Sequence, residues 1–152
     1  MKLEYSKSQK IVLIVLRIVI GYHFLYAGLS KFYMPDWNAA PFLLQANWLF
    51  SEFFHFLANN GTVLAIVNVL NIWGQIFIGI SLITGLFSRL AAIFGAIMIA
   101  FFYIAVPPFL NNEFFVDKNL LEFIGFLLIV SFPTSNIFGL DILVQKYKSI
   151  KE

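Results

Sequence analysis

The apolar residues of this chain are gathered into blocks of about 17 to 25, the length a helix needs to cross ~30 Å of hydrocarbon at ~1.5 Å per residue. Four such blocks can be traced, over residues 11–32, 63–87, 90–106 and 120–137. The second contains no charged residue, and Pro107 and Pro108 close the third. A polar stretch, Asn111, Asn112 and Glu113, precedes the fourth, which ends at Pro133, Ser135 and Asn136. Of the 152 residues 61% are hydrophobic and 12% charged, so water is not the main solvent. The expectation is an all-α chain, one membrane domain over residues 1–152, folded as a four-transmembrane-helix bundle.

Lys2, Lys7 and Lys10 precede the first apolar block in the manner of a secretory signal. That block is long enough to span, however, and no A-x-A-like cleavage site follows it, so the first helix is expected to be retained. Four crossings put both termini on one side of the bilayer. Seven basic residues fall on that side: Lys2, Lys7, Lys10, Arg89, Lys146, Lys148 and Lys151. The other side has Lys31 and Lys118 against Asp36, Glu52, Glu113, Asp117 and Glu122. The positive-inside bias therefore predicts cytoplasmic N- and C-termini, in the plasma (inner) membrane of a bacterium or archaeon.

Residues 33–61 are too many for a turn and too aromatic for a linker, with Trp37, Phe42, Trp48, Phe50, Phe53, Phe54 and Phe56. A helix starting near Pro41 would place Gln45, Glu52, His55 and Asn59 within about 80° of one another, at ~100° per residue. This predicts an amphipathic interfacial helix over residues 41–59, on the extracytoplasmic side between spans one and two.

Polar residues inside the spans are the functional leads, because an ionisable group at mid-helix costs roughly 2.5–3.5 kcal/mol on insertion scales. Arg17, Gly21, Phe24, Gly28 and Lys31 recur at intervals of four and three, one face of the first helix that must point into the bundle. By depth, Lys31 can reach Glu122, while Arg17 meets Asp141, the carbonyl ends of other helices, or inner-leaflet phosphate. Snorkelling and a bundle-fixing ion pair are the bland readings of these charges. The sharper one is a polar pocket under the outer cap, where an ammonium and a carboxylate bind or protonate a ligand's oxygens. Asn68, Asn71 and Gln75 form a stripe able to hydrogen-bond across the bundle.

The absence of cysteine excludes disulfides, thiol relays, iron–sulfur ligation and covalently attached haem. His23 lies near the middle of the first span and His55, the other histidine, in the outer segment, so neither metal nor haem is expected. The net charge of +2 gives no reason to expect nucleic acid.

The stretches LRIVIGYHFLYAGLSKF (16–32), GLFSRLAA (85–92), KNLLE (118–122) and FGLD (138–141), in that order and spacing, resemble the DoxX/DoxD family of membrane proteins. The resemblance implies a four-helix membrane protein. Archaeal members of that family resemble subunits of a thiosulfate:quinone oxidoreductase, and others are linked to oxidative-stress complexes. By motif the family's arginine falls on Arg17, its Gly-x-x-Lys on Gly28 and Lys31, its post-turn arginine on Arg89 and its carboxylate on Glu122. Two positions depart from the pattern. Gln75 stands where many relatives have Glu, and Ser88, where Thr is usual, keeps a potential N-cap for the third span.

Two functions compete. In the first, the chain is a membrane subunit passing electrons from a membrane or soluble redox partner to quinone. The pocket would be formed by Arg17, His23, Tyr26 and Gln75, with Glu122 and Lys31 as the catalytic pair. In the second it is a non-catalytic scaffold for a partner protein. A transporter is the weakest option, for no broken helix or charged path is visible. A homodimer is compatible with each.

Overall fold

A computed structural model describes residues 5–111, 114–132, 134–142 and 146. Lys2, Asn112, Glu113, Pro133, Lys148 and Lys151, used above, lie outside them. The described residues are all-helical. Helix α1 (Lys7–Tyr33) is followed by the short α2 (Ala40–Leu43) and α3 (Ser51–Asn59), then by α4 (Gly61–Thr84), α5 (Ser88–Ala105) and α6 (Lys118–Ser131). Single 3₁₀ turns occupy Pro108–Asn111 and Thr134–Asn136. Helices α1, α4 and α5 are each long and apolar enough to cross a membrane.

Local chemistry sets the boundaries. Ser6 and Gln9 form a reciprocal capping box at the start of α1. The Asn60 side chain caps α4 and the Asp117 side chain caps α6. Helix α4 ends at Thr84, three residues before the expected end at 87, with Gly85 as its C-cap in the left-handed region (φ 70°). Ser88 is not the cap of α5: it is the first helical residue, and the cap is Phe87 (φ 52°). Among the described residues no side chain caps the first turn of α5; the Phe87 N–H donates to Asp141 Oδ1 at 2.9 Å, which ties a distant segment to the start of the helix.

The segment expected to form one amphipathic helix is divided. Helices α2 and α3 are separated by residues 44–50, with Phe50 left-handed at φ 64°. Gln45 therefore does not share a helical face with Glu52, His55 and Asn59; its side chain donates to the Pro41 carbonyl. Helix α6 stops at Ser131, short of residue 137. A residue preceding proline is disfavoured in the α conformation, and Phe132 is extended (φ −116°, ψ 102°).

Neighbouring helices run antiparallel, and glycines bring α1 against α4. A Cβ on Gly21 would meet Leu82, one on Gly28 would meet Ile76, and one on Gly79 would strike the Leu25 backbone. The main core gathers Ile20, Phe24, Leu82, Ala92, Phe126 and Ile129. Phe24 meets Phe126 edge-on, ring centroids 4.9 Å apart, which joins α1 to α6. A second cluster of Ala39, Leu43, Phe54, Ala58 and Ala105 seats α2 and α3 on the bundle. Ala39 N–H donates to Asn68 Oδ1 at 2.9 Å, so the first residue of the polar stripe holds the cap.

Candidate functional site

Two polar nodes face one cleft between α1, α4, α5 and α6. At the first, His23 Nδ1 lies 2.5 Å from Glu122 Oε1. At the second, the Lys31 ammonium donates to Gln75 Oε1 at 2.6 Å and to Asn71 Oδ1 at 3.0 Å. It also stands over the rings of Trp37 (5.2 Å) and Phe102 (5.9 Å), which surround the cation with π-faces. His23, Lys31, Gln75 and Glu122 all line a cavity of about 130 Å³, with Lys118 and Asn119 at its rim. Asn119 Nδ2 donates to Asp117 Oδ2 at 2.7 Å, anchoring that rim to the cap of α6.

The expected Lys31–Glu122 ion pair is replaced by these two nodes. The register of α6 on α1 is set by Ile20 against Gly125 and Phe24 against Phe126. This puts Glu122 level with His23, whereas Lys31 lies eight residues, ~12 Å, further along α1. On the α4 side Gly28 sits against Gln75 and Ile76, which brings Lys31 level with the polar stripe.

Two other expected pocket residues lie elsewhere. Arg17 is fully buried at the opposite end of α1. Its Nη2 donates to the Phe138 carbonyl at 2.7 Å and its Nη1 to Thr134 Oγ1 at 3.3 Å, both in the segment after α6 rather than at a helix end. Asp141 instead binds Phe87, and Leu140 N–H donates to the Thr84 carbonyl, so residues 134–142 are clamped over the α4–α5 turn. Tyr26 is 62% exposed and stacks on Tyr22, away from the cleft.

Sequence reasoning missed Asn71 as a ligand of Lys31, although its place between Asn68 and Gln75 was a sufficient signal. It also missed an apolar groove of about 510 Å³ between α4 and α5, roofed by α2 and α3. Leu70, Gly74, Phe77, Phe94, Met98 and Phe101 line it. Asn71 and Phe102 form the wall it shares with the Lys31 node: Asn71 accepts from Lys31, and Phe102 lines both spaces.

Residues 12–108 match the sequence model of the DoxX family. The chain belongs to the DoxX family. Curated proteins and solved structures give no match. With its apolar helices α1, α4 and α5, this DoxX chain is a multi-pass membrane protein. Arg17, His23, Lys31 and Gln75 fall inside the matched DoxX residues; Glu122 and the rest of α6 lie beyond them.

Proposed function

We propose that this chain is the membrane subunit of a quinone-linked oxidoreductase system, with quinone as the electron-accepting substrate and a separate redox partner as donor. In this reading α6 and the residues up to 137 make a fourth crossing, and α2 and α3 lie in the outer interface. Both termini are then cytoplasmic in a bacterial or archaeal inner membrane, the side the positive-inside bias assigns to Lys7, Lys10 and Arg89.

The observation that carries the proposal is the position of Lys31 on the wall between a polar cleft and an apolar groove. An ammonium has three donors, and Asn71 and Gln75 use two of them. The third is available to a carbonyl oxygen, while the groove accommodates an apolar chain attached to the same head. Its volume lies in the ~300–1,000 Å³ range of small-molecule sites. Reduction of a quinone to the quinol takes up two electrons and two protons. The His23–Glu122 pair, on the same cleft, would pass those two protons one at a time from water to the bound oxygens, while the redox partner supplies both electrons. Lys31 favours negative charge developing on that oxygen.

Glu122→Gln in membranes supplied with thiol or thiosulfate as reductant is expected to slow quinone reduction by about 10²-fold, the usual weight of a general acid. An unchanged rate, together with purified protein that carries no quinone, would remove the proposal.

The scaffold reading is favoured by one observation: Lys31 and Glu122 already have partners, which suits a lock as well as a site. Mild detergent extraction separates the two. A stable partner complex whose assembly is unaffected by Glu122→Gln, with no bound quinone, supports the scaffold.

A further inference from the structure

The outer side of α1 carries polar groups at a depth where hydrocarbon would lie. Counting from Ile11, Tyr22 and His23 stand ~16–18 Å along the axis, near the middle of a ~30 Å core, and Tyr26 stands ~22 Å along. Tyr22 is 64% exposed, and the His23 side chain 47%. The two tyrosine rings stack with centroids 6.3 Å apart, and among the described residues neither hydroxyl has a hydrogen-bond partner. Hydrocarbon offers a hydroxyl nothing to bond, and an imidazole–carboxylate pair at this depth calls for protein or water around it. Lipid alone is a poor neighbour for this face.

The exposed residues of this face form one stripe. Val12, Val15, Val19, Tyr22, Tyr26 and Tyr33 follow intervals of three, four, three, four and seven, so they line up along one side of α1, and the tyrosines are what distinguish that side. Copies of one chain insert in the same direction. A two-fold axis along the membrane normal therefore sets this face opposite itself, with every residue at the depth of its counterpart. Tyrosine hydroxyls both donate and accept, so a row of them complements its own copy. His23 engages Glu122 through Nδ1, which leaves Nε2 able to take a hydrogen bond from a hydroxyl. No charge interrupts the seam, since Arg17 is buried on the other side of the helix.

We infer that α1 pairs two copies of the chain side by side, with the Tyr22 and Tyr26 hydroxyls at the seam and each copy shielding the other's His23–Glu122 pair from lipid. This interface is independent of whether the cleft binds quinone.

The chain has no cysteine, so single cysteines report proximity without background. Val19→Cys, Tyr22→Cys and Tyr26→Cys are placed on the seam; Leu70→Cys and Phe94→Cys, exposed on α4 and α5, are the controls. Each is oxidised with copper phenanthroline in native membranes. The seam variants are expected to give a product of twice the chain mass several-fold faster than the controls. Adding Tyr22→Phe with Tyr26→Phe to the Val19→Cys chain is expected to slow it. Val19→Cys removes no hydroxyl, so it carries the test if the tyrosine variants fold poorly. Equal rates at seam and control positions, no dimer from Val19→Cys, or a product of another mass would overturn the inference.

Discussion

His23 Nδ1 and Glu122 Oε1 lie 2.5 Å apart, tying the middle of α1 to the first turns of α6. Glu122→Gln keeps the size of the side chain and an oxygen for the imidazole N–H, whereas Glu122→Leu leaves the ring without its partner. In thermal unfolding in detergent, Glu122→Gln is expected to stay near wild type. Glu122→Leu is expected to lose about 1–2 kcal/mol, the penalty of a polar group left unpaired. Equal stability of the two variants would mean that the pair contributes nothing to packing.

Lys31 is held by two neutral oxygens, those of Asn71 and Gln75. Gln75→Glu turns the 2.6 Å bond into an ion pair without changing its shape, and is expected to fold with unchanged or higher thermal stability. Gln75→Leu leaves Asn71 as the one hydrogen-bond acceptor of Lys31 among the described residues and is expected to cost about 1.5–3 kcal/mol. A Gln75→Leu protein as stable as wild type would show that Lys31 reaches another acceptor.

The α1–α4 contact depends on Gly79. A Cβ there would meet the backbone nitrogen of Leu25 at 2.5 Å, and backbone cannot swing aside. Gly79→Ala is expected to cost about 1–3 kcal/mol by overpacking. Gly61→Ala, which meets nothing within 4 Å, is expected to be neutral or slightly stabilising. Reversal of that order in parallel melts would contradict the packing described.

Arg17 and Asp141 act on the same segment from two sides, Arg17 through Phe138 and Asp141 through Phe87. Arg17→Met leaves the Phe138 carbonyl without its donor and is expected to loosen residues 134–142. Limited proteolysis should then cut this segment faster. Asp141→Ala is expected to do the same more weakly, at the roughly 1 kcal/mol of one lost hydrogen bond. Cleavage at the wild-type rate in both variants would show that the clamp is held otherwise.

The long helices were legible because an apolar run of spanning length has little else to become, and the buried face of α1 because Arg17, Gly21, Phe24 and Gly28 repeat at helical spacing. The stripe Asn68, Asn71 and Gln75 was equally readable, and each member makes a hydrogen bond across the fold. The partner of Glu122 was not readable. It depends on how far α6 slides along α1, which Phe24, Phe126 and Gly125 decide through shape rather than through any local signal. Tyr26 could have been placed correctly: nine residues from Arg17 at ~100° each is half a turn of the wheel, the outer side. The break at Phe50 left no such trace, because a left-handed phenylalanine runs against its own backbone preference, so the residue type does not announce it.

Trp37 stands 5.2 Å from the Lys31 ammonium, so its fluorescence reports directly on what occupies the cleft. With Trp48→Phe and Trp73→Phe removing the other indoles, the protein in lipid nanodiscs is titrated with a short-chain quinone. Saturable quenching that is lost in Lys31→Met, with the helical circular dichroism unchanged, is the predicted result. Quenching that rises linearly without saturation, or that is identical in Lys31→Met, would contradict a quinone site at Lys31.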